Sequence, residues 1–219
     1  MLNKLKESLP DKFAGLLFID SFLDYRDKRS DNRFYHMLKA DICQKFINKN
    51  ASSEKVFLDA GAGRGPYTEI ARKKYRRIYC FEYNQNELNR AIKNINNNDR
   101  SVIFKQVDIT NIPLDNSTID VAVCSEVLEH IQNYQKAMSE IYRVMIPGGV
   151  VLFSMPNNLS LLYAFSRIKN RKLLLTTEAE LIKLGRWEQM RHLMFSYKQI
   201  EQIAVSSGFK IINRRGLIC

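Results

Sequence analysis

Hydrophobic and polar positions alternate along the chain with two different periods. Short apolar runs, typical of buried strands, are separated by segments in which apolar residues recur every three or four positions, as on one face of a helix. The predicted strands lie at residues 56–58, 78–81, 102–107, 119–124, 150–155 and 209–213. Strands and helices that alternate at this spacing predict βαβ units. We therefore expect an α/β fold with a doubly wound, mostly parallel sheet and helices on both faces.

The two ends of this pattern differ from its centre. Residues 1–50 precede the first predicted strand, and apolar residues recur at every fourth position from 34 to 46. Together with a second apolar stretch at 13–23, they predict an N-terminal helical cap that lies across the carboxyl edge of the sheet. Residues 51–219 form the main domain, whose alternation of strands and helices breaks down in an insertion at 156–192.

The turn after the first predicted strand is rich in glycine. Asp59 ends the strand, and Gly61, Gly63 and Gly65 follow at every second position. A strand, a glycine turn and a helix in this order let the backbone approach a ligand closely at the carboxyl end of a parallel strand. The dinucleotide fingerprint G-x-G-x-x-G would place its third glycine at Pro66, which cannot supply the close helix packing that glycine allows. This departure argues against an NAD-dependent dehydrogenase.

Three acidic residues stand at the ends of three successive predicted strands, namely Asp59, Glu82 and Asp108. The carboxyl ends of parallel strands share one edge of a sheet, so the three carboxylates are expected along one crevice. A carboxylate after the second strand can accept hydrogen bonds from both ribose hydroxyls of a nucleoside, and one after the third can accept from an adenine amino group. Each acid alone could instead form a turn or cap a helix.

Five segments of the chain carry a resemblance to a known family. The segments are L-D-A-G-A-G-R-G at 58–65, F-E-Y-N at 81–84, V-D-I at 107–109, I-D-V-A-V-C-S-E-V-L-E-H-I at 119–131 and R-V-M-I-P-G-G at 143–149. From about residue 34 to the C-terminus the chain resembles the class I methyltransferases that use S-adenosyl-L-methionine (SAM). The resemblance implies a Rossmann-like fold, SAM as the methyl donor and the insertion on the side of the methyl acceptor.

The resemblance also implies which residues bind the cofactor. The glycine turn would pack on the methionine part of SAM, Glu82 would hold the ribose, and Asp108 with Ile109 would frame the adenine. Ser125 and Glu126 would line the cofactor opposite the glycines. The complete implied set is Asp59, Ala60, Gly61, Gly63, Glu82, Tyr83, Asp108, Ile109, Ser125 and Glu126.

Glu126, Glu129 and His130 form the motif E-x-x-E-H, and at this spacing they would share one face of a helical turn. The motif resembles the metal site of the ubiquinone-pathway O-methyltransferases and of the small-RNA 3′-terminal ribose methyltransferases. The latter add a downstream histidine, which would be His192 here. A hard ion such as Mg²⁺ could orient and acidify an acceptor hydroxyl. Without metal, His130 would be the catalytic base or would hydrogen-bond locally.

The composition adds a charge bias. The 219 residues carry 34 Lys and Arg against 23 Asp and Glu, a formal net charge of +11. This charge favours an acidic partner, namely a nucleic acid, an anionic membrane surface or an anionic metabolite, or it belongs to a solvated basic surface. The four cysteines form no C-x-x-C pair, which indicates reduced thiols and a cytoplasmic protein. No apolar run of the sequence approaches the ~20 residues needed to span a bilayer.

Together these observations predict a methyltransferase that acts on a small or amphipathic acceptor, with oxygen as the favoured acceptor atom. A second enzyme hypothesis is an RNA ribose 2′-O-methyltransferase, which the positive charge and E-x-x-E-H favour. The alternative that is not an enzyme is a regulator that binds SAM without catalysing methyl transfer. The apolar and then basic insertion could be a lid over the acceptor, a helix that contacts an anionic membrane, or a helix packed on the domain.

The C-terminal end departs from the family pattern. In the family, the sheet usually ends with a sixth and a seventh strand in an antiparallel hairpin, whereas residues 214–219 resemble the turn and only the start of a last strand. Either the seventh strand is absent or the chain belongs to a longer protein. An unpaired apolar edge would favour association, so the oligomeric state stays open.

Overall fold

The computed structural model describes residues 15–20, 30–95, 99–155 and 196–216. Its strands are β1 (Gly15–Asp20), β2 (Ser52–Ala60), β3 (Tyr75–Glu82), β4 (Val102–Gln106), β5 (Ile119–Ser125), β6 (Met145–Met155) and β7 (Lys210–Gly216). Its α-helices are α1 (Ser30–Asn50), α2 (Pro66–Ala71), α3 (Gln85–Ile95), α4 (Tyr134–Val144) and α5 (Tyr197–Ser206). A short 3₁₀ helix covers Leu128–His130.

The strands form one sheet in the order β4-β3-β2-β5-β6-β1-β7. Every neighbouring pair that the structure describes is parallel. From β2 the chain moves outward through β3 to β4, and it then returns to the other side of β2 for β5 and β6. The strand order therefore reverses between β2 and β5. In open α/β sheets, ligands bind outside the carboxyl ends of the strands at such a switch point.

Two hydrophobic cores cover the two faces of the sheet, because successive side chains of a strand point to opposite faces. Phe57 and Val123 belong to the core to which α1, α2 and α3 contribute. Leu58 and Cys124 belong to the core to which α4 and α5 contribute. Helices on both faces of a parallel sheet confirm the predicted doubly wound, Rossmann-like α/β fold.

Local capping interactions explain where the helices begin. Pro66 occupies the start of α2, where its missing N–H leaves no hydrogen bond unmade. The Asn84 side chain accepts from the backbone N–H of Asn86 and of Glu87 at the start of α3. Ser196 and Gln199 form a reciprocal capping box at the start of α5.

The prediction of an N-terminal helical cap is wrong at residues 15–20. The helix predicted around 34–46 is present as α1, but Gly15–Asp20 is a strand that pairs in parallel with both β6 and β7. A short apolar run suits either a strand or a buried helix, so its period alone could not decide between them. Inside the sheet, its backbone N–H and C=O groups find partners on both sides.

The C-terminal part of the sheet also differs from the expectation. The last predicted strand is present as β7, but it lies at the edge beside β1, and the described strands contain no antiparallel hairpin. The N-terminal strand thus supplies the seventh strand of the sheet. The predicted insertion at 156–192, with His192, lies outside the described residues. None of the described helices combines the length and apolar character that crossing a membrane requires.

Candidate functional site

The glycine turn after β2 borders open space at one of its three glycines. Gly61, Gly63 and Gly65 have φ values of +78°, +53° and +77°, in the left-handed region that favours glycine. A Cβ on Gly61 would lie 2.4 Å from the Val127 side chain, and one on Gly65 would lie 2.5 Å from Ile95. A Cβ on Gly63 would meet nothing within 4 Å. Gly61 and Gly65 therefore serve packing, whereas Gly63 leaves room for a ligand.

The backbone of the turn is fastened to the end of β3. The N–H groups of Gly61 and Ala62 both donate to the Phe81 carbonyl, at 2.8 and 2.9 Å. The N–H of Gly63 donates to Glu82 Oε2, and that of Asn84 donates to Glu82 Oε1, both at 2.8 Å. A carboxylate offers about four acceptor positions, so Glu82 retains capacity for two further donors. This carboxylate both shapes the turn and remains able to bind hydroxyl groups.

Asp59 has a role that the sequence did not predict. Its side chain is buried, and its Oδ2 accepts from both the N–H and the hydroxyl of Thr68, at 2.9 and 2.7 Å. Burial raises the pKa of Asp59 to about 7, although the Thr68 hydrogen bonds oppose the shift. Asp59 therefore anchors the first turn of α2 to the end of β2. The sequence signal for this contact was Thr68, a hydroxyl residue at the third position of the helix after the glycine turn.

The residues expected at the adenine end lie after β3 and β4, at adjacent strand ends. The Val107 N–H donates to the Glu82 carbonyl at 3.0 Å and so joins the two segments. Asp108 is exposed, and its Oδ1 accepts from the Thr110 N–H at 2.8 Å, whereas Ile109 is buried. The Tyr83 side chain is 71% exposed. The structure thus brings Glu82, Tyr83, Asp108 and Ile109 to one edge of the sheet.

Ser125 and Glu126 lie across the switch point from the glycine turn. The Ser125 hydroxyl is 3.3 Å from the Tyr67 hydroxyl and 2.7 Å from that of Ser154. Glu126 has a φ of +58°, an uncommon conformation for a residue with a side chain, and its N–H donates to the Ser154 carbonyl. The Val127 contact of Gly61 brings the two sides together. Strained backbone of this kind often occurs at functional sites.

Helix α1 adds side chains to this site that the sequence did not predict as site residues. The Lys39 ammonium lies 3.8 Å from Glu126 Oε2, and the Lys39 side chain is only 11% exposed. One turn later, Cys43 is buried, and burial raises the pKa of its thiol to about 11 against the effect of a hydrogen bond with Tyr67. The sequence signal that could have identified Lys39 was its position next to the apolar stripe of α1.

The predicted metal site is not supported. Glu126 lies before the 3₁₀ helix, so Glu126, Glu129 and His130 do not share the face of an α-helical turn as the spacing suggested. The His130 side chain is 55% exposed and that of Glu129 only 1%, with 4.0 Å between Nε2 and Oε1. Within the described ranges, no group of three or more His, Cys, Asp or Glu side chains is arranged to hold a metal ion. The described residues therefore give no support to a Mg²⁺ site at this motif.

Glu129 is instead a buried carboxyl group. Burial raises its pKa well above the usual range, and the nearby Glu126 carboxylate raises it further. Its Oε2 has no hydrogen-bond partner among the residues that the structure describes. Such a group favours the neutral, protonated form.

Comparisons with known proteins identify the region that contains this site. Residues 58–153, from β2 to β6, match a family model described as a methyltransferase domain. A probable S-adenosylmethionine-dependent methyltransferase of Mycolicibacterium smegmatis is 28% identical over 103 residues, which cover 47% of this chain and 38% of that protein. Residues 58–153 are therefore similar to a methyltransferase domain, in agreement with a class I SAM-dependent methyltransferase. The family model includes every residue predicted to bind the cofactor, but it ends before α5 and begins after α1.

One further relative is similar in sequence, and one solved structure is similar in fold. A malonyl-[acyl-carrier protein] O-methyltransferase of Serratia marcescens is 27% identical over 118 residues, which cover 53% of this chain and 45% of that protein. The crystal structure of the YcgJ protein from Bacillus subtilis superposes with a TM-score of 0.60 at 16% identity, over 78% of this chain and 68% of that one. The chain spans less than half the length of the two relatives that it matches by sequence.

The methyltransferase domain has the features that SAM requires. The open space at Gly63 admits a ligand next to the turn. Glu82, at the adjacent strand end, is partly exposed and keeps acceptor positions for ribose hydroxyls. Exposed Asp108 and Tyr83 lie at the same edge, where an adenine would follow the ribose. The residues present therefore fit SAM, in agreement with the methyltransferase family.

Proposed function

We propose that the chain transfers a methyl group from SAM to a small or amphipathic acceptor, with oxygen as the acceptor atom. The observation that carries the proposal is the contact between Gly63, which borders open space, and the Glu82 carboxylate at the switch point. Bound SAM would supply an activated methyl group on a sulfonium. We propose that the cofactor-binding residues are Asp59, Ala60, Gly61, Gly63, Glu82, Tyr83, Asp108, Ile109, Ser125 and Glu126, with Asp59 acting through α2.

Oxygen is proposed as the acceptor atom because of the name of one relative, and an anionic acceptor because of the charge of the chain. The name of the Serratia marcescens relative describes O-methylation of a malonyl group on an acyl carrier protein. An anionic acceptor, free or attached to an acidic carrier, would also suit a chain with a net charge of +11. RNA ribose methylation is the second candidate, because the same positive charge favours a nucleic acid.

The contribution of the protein is chiefly to position the two reactants, because the donor is already activated. An acceptor carboxylate needs no base, whereas an acceptor hydroxyl must lose a proton during transfer. We propose that the exposed imidazole of His130, on the loop after β5, takes this proton when the acceptor is a hydroxyl.

The first test is the affinity for SAM and for its demethylated product, S-adenosylhomocysteine, by calorimetry. The Glu82→Ala change removes a charged hydrogen-bonding group, so we expect it to weaken both ligands by ~1.5–3 kcal/mol, about 10- to 150-fold. Glu69→Ala is the matched control, because Glu69 is an exposed acid that pairs with Arg72. The control should bind like the wild type.

Two results would contradict the proposal. One is tight binding of NAD, and the other is unchanged SAM affinity in the Glu82→Ala variant. Turnover with a panel of carboxylic acids, hydroxylated metabolites and short RNAs then separates the acceptor classes. A protein that binds SAM but methylates no member of the panel would favour the regulator hypothesis.

A further inference from the structure

Basic residues are concentrated at the amino edge of the sheet, opposite the candidate site. They lie in three short segments at the starts of β2, β3 and β4, namely 48–55, 72–77 and 99–101, which contain eight Lys and Arg against two acids. The three strands are parallel neighbours, so the segments form one continuous row. We call this row the basic edge, and its cations are Lys49, Lys55, Arg72, Lys73, Lys74, Arg76, Arg77 and Arg100.

Contacts between the three segments hold the basic edge together. Lys74 Nζ donates to Asn48 Oδ1 at 2.7 Å and joins the start of β3 to the end of α1. Arg72 Nε lies 3.9 Å from Asp99 Oδ2, in the segment before β4. Hydrogen bonds with Ser101 lower the pKa of Asp99, and the charges of Arg72 and Lys73 lower it further. The fold thus brings cations from three parts of the chain to one surface.

Most of these cations are available to a partner. Within the described ranges, five of them are exposed and make neither a close ion pair nor a side-chain hydrogen bond, namely Lys49, Lys73, Arg76, Arg77 and Arg100. Lys73 also has a φ of +64°, a left-handed conformation in which glycine or asparagine is more usual. Two acids cannot neutralise eight cations, so the basic edge attracts anions.

The side chains of the basic edge indicate the class of anion. Half of its cations are arginines, whose planar guanidinium can bind a phosphate through two parallel hydrogen bonds. Proteins that bind a membrane surface usually add apolar side chains to the charge. In the described part of the chain, however, the exposed large apolar residues are Tyr83, Val205 and Ile212, which lie after β3, in α5 and in β7. Proteins that bind single-stranded nucleic acids stack bases on aromatic rings, but Tyr75, the aromatic residue of the three segments, is buried.

We propose that the basic edge binds the phosphate backbone of a nucleic-acid duplex without reading its sequence. The exposed Lys and Arg side chains would pair with phosphate oxygens, as in sequence-independent binding. Strand β3 has eight residues, so at ~3.3 Å per residue roughly 25 Å separate the basic edge from Glu82 at the other end of the strand. The duplex is therefore a docking partner and not the methyl acceptor. This proposal does not depend on the proposed function.

The test measures the binding of a fluorescently labelled DNA duplex of about 20 base pairs by anisotropy, at several salt concentrations. DNA lacks the 2′-hydroxyl, so its binding cannot report an RNA ribose as acceptor. We expect binding at about 50 mM salt that weakens steeply as salt rises, because each phosphate contact releases a counterion. Arg76→Gln/Arg77→Gln removes two contacts. It should weaken binding by at least ~5-fold and reduce the slope of log affinity against log salt by about 2.

The matched control is Lys105→Gln/Lys136→Gln, which removes two exposed positive charges outside the basic edge and leaves the same net charge. Its affinity should stay within about 2-fold of that of the wild type. Lys73→Gly is a second variant, chosen because glycine suits the left-handed backbone at this position and should preserve the fold. It should reduce the salt slope by about 1.

Four outcomes would overturn the proposal. The first is a wild-type protein that does not bind the duplex at low salt. The second is an unchanged salt slope in Arg76→Gln/Arg77→Gln and in Lys73→Gly. The third is equal weakening in the Arg76/Arg77 variant and in the control, because binding would then follow net charge alone. The fourth is flotation with phosphatidylserine vesicles without duplex binding, which would assign the basic edge to a membrane.

Discussion

Asp59 shows that a residue of a binding motif can serve the site without facing its ligand. The sequence placed its carboxylate in the crevice, whereas the structure buries it against Thr68. Burial raises its pKa to about 7 from a usual value of 3.8. Between these pH values the native protein keeps a proton that the unfolded chain releases. This carboxyl therefore lowers the free energy of unfolding progressively as pH rises from about 4 to about 7.

The Asp59→Asn variant should lack this pH dependence, because an amide does not titrate and its oxygen can still accept both Thr68 hydrogen bonds. As pH rises from 4 to 7, we expect the free energy of unfolding of the variant to increase relative to that of the wild type, by at most about 4 kcal/mol. Urea denaturation without ligand measures both profiles. Profiles that run parallel from pH 4 to 8 would show that Asp59 ionises normally in the folded protein.

His130 and Glu129 are neighbours in sequence but occupy opposite environments, with side chains 55% and 1% exposed. Only His130 is therefore accessible to an acceptor from solvent. With a hydroxyl acceptor, His130→Ala should lower the catalytic rate by ~10²–10⁴, the usual contribution of a positioned base, with SAM affinity nearly unchanged. Gln132→Ala, an exposed change on the same loop, is the control. Full activity of His130→Ala with a hydroxyl acceptor would make the histidine structural.

Strand β1 is the element whose role changed most between sequence and structure. It lies between β6 and β7, so its backbone bonds to both neighbours. A strand in this position tolerates proline poorly, because proline removes a backbone donor and is normally confined to edge strands. Gly15–Asp20 is therefore part of the sheet that carries the site.

Ile19→Pro tests this placement, since Ile19 pairs with Ser154 on one side and Arg215 on the other. We expect it to lower the free energy of unfolding by ~1–3 kcal/mol more than Ile19→Ala, which keeps the N–H. Chemical denaturation of both variants gives the difference. Equal losses in the two variants would indicate that residue 19 lies outside the sheet.

Helix α1 has a comparable double role. Its apolar stripe, with Cys43 and Ile47 buried in the core, holds it against the sheet. Its Lys39 lies near the carboxyl end of β5 through the contact with Glu126. The amphipathic period predicted the helix, but it did not indicate which polar residue would be drawn into the site.

The whole chain is organised around the reversal of strand order between β2 and β5. The glycine turn follows β2, Ser125 ends β5, and Glu82 ends β3 beside β2. One crevice therefore receives residues from distant parts of the sequence. The net charge of +11 is also a property of the whole molecule, because the summed electrostatic field of all charges attracts an acidic acceptor or partner.

By itself, the sequence determined the α/β alternation, the glycine turn and the acids at successive strand ends. These features depend on hydrophobic period and turn chemistry, which act over a few residues. Only the tertiary structure decided that Gly15–Asp20 enters the sheet, that Lys39 meets Glu126, and that Glu129 is buried whereas His130 is exposed. These three outcomes depend on packing between segments that lie far apart in the chain. Such packing leaves no periodic pattern in the sequence.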